Sequence, residues 1–247
     1  MDLLAALQFL TILPVKRNFT SAQIGRSTAY FPVVGLIIGA ILLGLHYLLH
    51  FLLPAGIVNA LLLTVLVVLS GGLHLDGLAD TLDGLAGYRT PERRLEIMRD
   101  SHIGGIGAVG LFIFLIIEYV ALNSIPDKWM PFTLLLTPTA SRWAMVYSIF
   151  TYSYARPEGL GKTFKQGASW IELLIASLVT VALAGILFQI AGLIIVAAVF
   201  IIINGAALYF KRQLGGLTGD TYGAVNEIAL ITVLLAINVL AFKHFLL

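Results

Sequence analysis

Long apolar stretches constrain this chain more than any other feature of its sequence. Seven stretches of predominantly apolar residues follow one another along it: residues 30–53, 55–73, 106–125, 131–151, 170–188, 190–210 and 223–245. About twenty such residues let one helix cross a bilayer. Only 11% of the 247 residues are charged, whereas a soluble domain has about 25%. A water-soluble globular protein is therefore excluded.

We expect an all-α fold, a polytopic transmembrane helical bundle of about seven spans that forms one catalytic membrane domain over residues 1–247. A transmembrane barrel would instead show alternating segments of about ten residues. The apolar segment 3–13 is too short to span and predicts an interfacial or re-entrant N-terminal helix. No Lys or Arg precedes it, which argues against a cleaved signal peptide.

The basic residues predict the orientation of the spans. One set of loops holds twelve of them: Lys16, Arg17, Arg26, Arg89, Arg93, Arg94, Arg99, Arg156, Lys162, Lys165, Lys211 and Arg212. The opposite loops hold Lys128 and Lys243, and Arg142 lies inside a stretch. Because loops rich in Lys and Arg stay in the cytoplasm, we expect the twelve, and the N-terminus, on the cytoplasmic side of the inner membrane.

Composition excludes some kinds of chemistry and argues against some partners. The chain has no cysteine, which excludes disulfides, thiolate metal sites and cysteine nucleophiles. Its net charge of +2 is too balanced to favour nucleic acid as a partner. We expect the lipid bilayer as a partner and leave self-association open. The 13 acidic residues need individual explanations in so apolar a chain.

Three of these acids lie in the glycine-rich segment 71–84, just after the second stretch. On a helix, Asp76, Asp80 and Asp83 fall within an arc of about 60°. Like charges at this spacing destabilise a helix, and a divalent cation would offset the repulsion. Clustered carboxylates suit Mg²⁺ or Mn²⁺, and zinc is a poor second. The alternative is a solvated acidic helix end.

A second segment, 215–227, repeats part of the first. Both begin Gly-Gly-Leu, place an Asp three residues after the Leu, and place another acid seven residues later. Asp220 and Glu227 can thus share a helical face. Two such helices would present carboxylates to a shared metal and phosphate site. A chance or packing origin of this short match is the alternative.

Further candidates are single residues. In the segment 99–107, Asp100 and His102 precede glycines that suit either anion binding at a helix start or close packing. Arg142 within a span is a functional candidate or a structural partner of Glu118. The basic loop 156–165 either binds phosphate or reflects the enrichment of Lys and Arg in cytoplasmic loops. His46 and His50 are interpreted as interfacial, and Gly35 with Gly39 as helix packing.

A carboxylate-bound Mg²⁺ beside arginines fits phosphoryl transfer. The string Gly-Gly-Leu-His-Leu-Asp-Gly-Leu-Ala-Asp-Thr-Leu-Asp-Gly at 71–84 closely resembles the cobalamin synthases (adenosylcobinamide-GDP ribazoletransferases). The resemblance continues through residues 9–14, 31–35, 98–104 and 215–224, in order. A looser likeness, to the CDP-alcohol phosphotransferases, lacks the Ala-Arg pair after Asp80-Thr81-Leu82-Asp83-Gly84.

The resemblance implies an integral membrane transferase of coenzyme B12 nucleotide-loop assembly. The 3′-hydroxyl of α-ribazole, or of its 5′-phosphate, would attack the cobinamide-side phosphate of adenosylcobinamide-GDP. GMP would leave, the product would be adenosylcobalamin or its 5′-phosphate, and Mg²⁺ would be required.

We assign candidate roles on this basis. The candidate metal ligands are Asp76, Asp80, Asp83, Asp220 and Glu227. The general base is one of Asp80, Asp83 and Asp100, and His74 or His102 would orient substrate or protonate the leaving group. The candidate substrate-binding residues are Arg99, Arg142, Arg156, Lys162 and Thr221.

The rival function is a cation-coupled transporter, in which intramembrane acids mark an ion path. Glu118 and Arg142 support it. A transporter favours carboxylates near the midplane, whereas these acids are predicted at one face. A structural scaffold would leave the clustered acids unexplained.

Overall fold

The computed structural model describes residues 1–87 and 89–243, and these are helical with no strand among them. The helices are α1 (Asp2–Leu10), α2 (Ser21–Ser27), α3 (Phe31–His50), α4 (Ala55–Leu69), α5 (Leu73–Leu85), α6 (Pro91–Ile97), α7 (Gly105–Asn123), α8 (Met130–Thr151), α9 (Leu160–Gly167), α10 (Trp170–Leu214) and α11 (Gly219–Phe242). Short 3-10 turns lie at Thr28–Tyr30 and Asp127–Trp129. The predicted helical fold class is confirmed.

Four helical segments of the described residues are long and apolar enough to cross a membrane: Ser21–His50, Gly105–Asn123, Trp170–Leu214 and Gly219–Phe242. A fifth is added if α4 and α5, bent by 85°, form one broken span. The protein is thus a polytopic helical membrane protein, and the count of about seven stays a prediction. Two residues of the predicted last stretch, 244–245, lie outside the described part of the chain.

The long helix α10 is a hairpin of two arms. Gln189 interrupts it with a φ of 53° and a ψ of −132°. A Cβ on Gly192 would overlap the carbonyl group of Ala184. In one straight helix these residues would be about 12 Å apart along the axis, so the chain reverses between them. The arms, 170–188 and 190–214, match the two separate stretches predicted here.

Helix α8 is enclosed by other helices, and most of its residues are buried. It packs along α3, where a Cβ on Gly39 would lie 2.5 Å from the carbonyl oxygen of Leu134. Pro138 leaves that carbonyl without its helical donor. The predicted packing role of Gly35 and Gly39 is confirmed, because Gly35 meets the carbonyl of Pro138 in the same way.

We expect Gly35→Ala to destabilise the protein by about 1–3 kcal/mol, because the added methyl would force α3 away from α8. Gly44→Ala in the same helix is the matched control, since nothing lies within 4 Å of its Cβ position. That change should be neutral or stabilise by up to about 1 kcal/mol. Thermal unfolding in one detergent measures both, and equal shifts would contradict the prediction.

The acidic helix α5 does not continue α4. Gly71 and Gly72 adopt φ values of 62° and 69°, in the left-handed region that favours glycine. The chain therefore turns, and α4 ends at Leu69, short of the predicted boundary at 73. With 13 residues, α5 is too short to span alone. It lies at one end of the bundle, against the first residues of α7 and α11.

Candidate active site

The two glycine-rich acidic segments meet where α5 crosses the start of α11. A Cβ on Gly77 would lie 2.7 Å from the carbonyl oxygen of Asp220, and one on Gly223 would lie 3.0 Å from the carbonyl oxygen of His74. Only glycine lets the two backbones approach this closely. The repeated glycines therefore have a packing role, and this packing brings the two sets of acids together.

Three carboxylates gather at this crossing, which we call the acidic crossing: Asp76 is exposed, and Asp80 and Asp220 are partly buried. Burial and the negative charges of Asp220 and Asp76 raise the pKa of Asp80 to about 7, against the opposing effect of Arg156. The crossing thus concentrates more negative charge than its own cations balance. The predicted facing of carboxylates from two helices is observed for these three residues.

Arg156 reaches the acidic crossing from the loop after α8. Its Nη2 lies 2.6 Å from Oδ2 of Asp220 and donates a longer bond, 3.4 Å, to the carbonyl of Met98. The loop is held by two backbone hydrogen bonds of 2.8 Å, which link Leu217 to Ser153 and Ala155. Arg156, a predicted substrate ligand, is therefore already placed beside a predicted metal ligand.

Asp83 has a different environment from Asp76 and Asp80. Its two carboxylate oxygens accept hydrogen bonds from the backbone N–H groups of Gly104, at 2.7 Å, and Gly107, at 2.8 Å. A carboxylate at a helix start is stabilised by these donors and by the helix dipole. The glycine-rich start of α7, predicted to suit an anion or close packing, here binds a carboxylate of the protein itself.

Other predicted residues make local contacts. The hydroxyl of Thr221 caps the start of α11 by accepting from the N–H of Thr218, at 2.8 Å. The ammonium of Lys162 donates to the carbonyl of Pro157. Asp100 and His102 form an exposed pair at 2.7 Å, and hydrogen bonds from His102 lower the pKa of Asp100. Their predicted roles in binding and catalysis stay predictions.

A buried polar group lies within the bundle, apart from the acidic crossing. Glu118 of α7 hydrogen-bonds Glu227 of α11, which also accepts from Asn226 at 2.9 Å. The charge of Arg142, which is 1% exposed, acts on Glu227 as well. Glu227 thus interacts with both Arg142 and Glu118. None of the three is among the described residues that line the cavities below.

A cavity of about 370 Å³ opens beside the acidic crossing. We call it the aromatic cavity, because Phe9, Tyr154, Phe164 and Tyr222 form much of its wall; Met145 and Ile149 add apolar surface. Asp76, Arg99, Arg156 and Asp220 also line it. It therefore joins an apolar interior to a charged part, as small-molecule sites commonly do.

Two buried polar side chains line the aromatic cavity without a hydrogen-bond partner. His74 is 2% exposed and Tyr222 3% exposed. Within the described structure, both ring nitrogens of His74 and the hydroxyl of Tyr222 lack a hydrogen-bond partner. Because buried polar groups are normally hydrogen-bonded, these atoms mark a place for a polar atom of a ligand or for water.

A second, more open cavity of about 590 Å³ lies at the other end of α5. We call it the open groove; Asp83, Arg89, Arg93, Asp100 and His102 line it together with the start of α7. Between the two cavities runs the acidic face of α5. Eight of the predicted site residues thus line one or the other of these cavities, whereas Asp80, Arg142, Lys162, Thr221 and Glu227 line neither.

Several residues of the site are missed by sequence reasoning. The four aromatic residues of the cavity come from α1, α9, α11 and a loop, and no local pattern relates them. Arg94 donates to the carbonyls of Leu85, at 2.8 Å, Gly87 and Arg89, and so closes the C-terminal end of α5. Phe9 and Tyr222 lie within segments 9–14 and 215–224, which carry the family resemblance. That resemblance is the signal by which these two residues could have been found.

The donor chemistry for a divalent cation is present at the acidic crossing. Within the described residues, however, no group of three or more His, Asp or Glu side chains is placed to hold a metal ion. Mg²⁺ usually binds one or two carboxylates and completes its shell with water and substrate phosphates. Asp76, Asp80 and Asp220 therefore fit a Mg²⁺ ion that arrives with a phosphate-bearing substrate, rather than a protein-only cage.

A family model described as cobalamin-5-phosphate synthase matches residues 2–238. A curated adenosylcobinamide-GDP ribazoletransferase of Geotalea daltonii is 40% identical over 226 residues, covering 90% of this chain and 91% of that protein. The enzyme of the same name from a Roseiflexus species is 41% identical over 238 residues, covering 96% and 88%. No solved structure gives a significant match.

Proposed function

Because the chain belongs to the cobalamin-5-phosphate synthase family, we propose that it joins a ribazole to adenosylcobinamide-GDP by Mg²⁺-dependent phosphoryl transfer at the acidic crossing. The chain is a transferase, as its relatives' names state. Membership of this family favours the transferase over the transporter alternative.

The observation that carries the proposal is the convergence of three carboxylates and Arg156 beside a ligand-sized cavity. In the reaction, the 3′-hydroxyl oxygen of the ribazole forms a bond to the cobinamide-side phosphorus of the diphosphate. The bond from that phosphorus to the bridging oxygen breaks, and the bridging oxygen leaves with GMP. A carboxylate accepts the hydroxyl proton. Arg99 and Arg156 are the candidates to bind the diphosphate oxygens.

Asp80 is the general base that the geometry favours. Asp83 is occupied by two backbone N–H donors, and Asp100 is exposed and bound to His102. Asp80 lies between Asp76 and Asp220 at the crossing, where its carboxylate has no equivalent hydrogen-bonded partner among the described contacts. It can therefore accept a proton without first breaking a structural bond.

Mg²⁺ is proposed as the cofactor, held by Asp76 or Asp220 together with substrate oxygens, which leaves Asp80 as the base. When bound, it would neutralise the phosphate charge and stabilise the leaving group. The support is the excess of negative charge at the crossing, where burial and then the charges of Asp220 and Asp76 raise the pKa of Asp80. Asp83 and Glu227, also predicted as ligands, are bound elsewhere in this structure.

We expect chelation of Mg²⁺ by EDTA to lower GMP release by at least about 10²-fold, because metal stabilisation of phosphoryl-transfer charge amounts to several kcal/mol. Dialysis followed by added Mg²⁺ should restore the rate. Unchanged melting of the detergent-solubilised protein after chelation is the control against unfolding. A full rate after chelation and dialysis would contradict the Mg²⁺ assignment.

The site is proposed to face the cytoplasm across the inner membrane, in keeping with the positive-inside rule. Arg89, Arg93, Arg99, Arg156 and Lys162 all lie in or beside segments at the end of the bundle that carries the acidic crossing. Both α-ribazole and its 5′-phosphate are proposed acceptors, since the arginines near the crossing can accommodate an additional phosphate.

The direct test uses full-length protein in detergent micelles with α-ribazole and adenosylcobinamide-GDP. GMP release and the corrinoid product should appear in a 1:1 ratio and require both substrates. GMP release without a ribazole acceptor would indicate hydrolysis and contradict the transfer. Repeating the assay with the 5′-phosphate compares the two acceptors directly.

A further inference from the structure

The aromatic cavity has features that the charged chemistry of phosphoryl transfer does not explain. Its interior is built from four aromatic side chains with Met145 and Ile149. Phe9 and Phe164 stand with ring centroids 4.6 Å apart, and Tyr154 and Tyr222 with centroids 6.3 Å apart. Two aromatic pairs thus contribute to one wall. A phosphate or ribose would leave this apolar surface uncovered.

Apart from its charged residues, the same cavity has two buried polar side chains that lack a partner. The imidazole of His74 and the hydroxyl of Tyr222 have no hydrogen-bond partner in the described structure. They lie near each other, because Gly223, next to Tyr222, packs against the backbone of His74. A ligand that fits must cover aromatic surface and offer a polar atom to one or both groups.

We propose that the aromatic cavity binds the apolar bicyclic base of the acceptor nucleoside, with the hydroxyl of Tyr222 donating to its unsubstituted ring nitrogen and accepting from the imidazole of His74. This inference rests on the proposed function, since it assumes a ribazole acceptor. The base stacks against the aromatic wall, and the tyrosine hydroxyl donates to the ring nitrogen. The ribose then extends toward Asp76, Asp220 and Arg156, at the acidic crossing.

The other substrate groups fit this cavity less well. A corrin ring is too large for about 370 Å³, since pockets of 300–1,000 Å³ suit drug-sized ligands. Guanine offers several donors and acceptors along its edge, and each would need a partner when buried. Apart from the charged residues near the acidic crossing, the cavity provides two unpartnered side chains for that purpose. An apolar base needs only one donor, for its single free ring nitrogen.

The test is the effect of Tyr222→Phe and His74→Gln on the separate KM values of the two substrates. We expect the KM for α-ribazole to rise about threefold to tenfold for each lost hydrogen bond, with the KM for adenosylcobinamide-GDP unchanged. Tyr209→Phe and His50→Gln are the matched controls, because both residues are exposed on helices away from the cavity. Neither control should change either KM.

A binding measurement that needs no turnover keeps the proposal testable if a variant is inactive. Quenching of α-ribazole fluorescence by the full-length protein in detergent, in the absence of adenosylcobinamide-GDP, gives the Kd of α-ribazole directly. Benzimidazole riboside, which lacks the two ring methyl groups, should bind the wild type about tenfold more weakly, from two buried methyl groups. If the two methyl groups contact Met145, Met145→Ala should reduce the difference between the Kd values of α-ribazole and benzimidazole riboside. An unchanged difference would show that the methyl groups lie elsewhere.

The outcomes separate this inference from the proposed function. If the variants raise the KM for adenosylcobinamide-GDP and leave that for α-ribazole unchanged, the cavity binds the donor, and the inference is wrong. Turnover by the wild type with no effect of any variant on α-ribazole would overturn the inference and leave the function standing. Tight α-ribazole binding without GMP release in the presence of both substrates would overturn the function alone.

Discussion

Asp80→Asn should lower kcat about 10²–10⁴-fold, the range that a positioned proton acceptor contributes. The amide keeps the shape of the side chain but cannot accept the proton of the attacking hydroxyl. It also removes one negative charge from a crossing where Asp76 and Asp220 repel it. The variant should therefore fold as well as the wild type or better. GMP release under saturating substrates, with melting in parallel, measures both effects.

Two comparisons make the result specific to Asp80. Asp127→Asn, in the 3-10 turn before α8, should leave kcat unchanged. Asp83→Asn should mainly lower stability, by about 1–3 kcal/mol, because an amide oxygen cannot replace both acceptor positions at the start of α7. Retention of more than about a tenth of the rate by Asp80→Asn would exclude Asp80 as the base. The base would then have to be sought at Asp83 or Asp100.

Gly77→Ala is the second large effect that we expect. Its new methyl group would lie 2.7 Å from the carbonyl oxygen of Asp220 and 3.0 Å from its Cα atom. Both are backbone atoms, so α5 and α11 must separate. The carboxylates on the two helices would then move apart, and displacements near 1 Å can cost about 10²-fold in rate. We expect kcat/KM to fall by about this factor while the protein stays folded.

Gly205→Ala is the matched control for Gly77→Ala. Gly205 lies in the second arm of α10, and nothing is within 4 Å of its Cβ position. The same substitution should leave kcat/KM unchanged and raise the melting temperature slightly, since alanine favours a helix over glycine. Equal activity of both variants would show that the close contact between α5 and α11 is not needed for the reaction.

The helices were predictable because their signals are local. Runs of apolar residues need only their own length to indicate a span, and the break near Gln189 falls between two of the predicted stretches. The pairing of Asp76 and Asp80 with Asp220 was predictable for a similar reason. Each acidic segment carries its own glycines and repeats part of the other.

Other features depend on contacts between distant segments. Helical spacing placed Asp83 on one face with Asp76 and Asp80, but Gly104 and Gly107 draw its carboxylate to the start of α7. Glu227 shares a helix with Asp220, yet its partners are Glu118, Asn226 and the charge of Arg142. Spacing along a helix gives the direction of a side chain and does not say which neighbour it meets.

By itself, the sequence determined that this chain is a helical membrane protein, that its acids gather in glycine-rich segments, and that it resembles one family of transferases. The first two properties follow from composition and from spacing along the chain, and the third follows from motifs such as those at 71–84 and 215–224. Only the tertiary structure decided that α5 turns away from α4, that Asp83 is bound by α7, and that Phe9, Phe164 and Tyr222 enclose a cavity beside the acids. The physical reason is that a cavity and its hydrogen bonds exist only where separate helices pack.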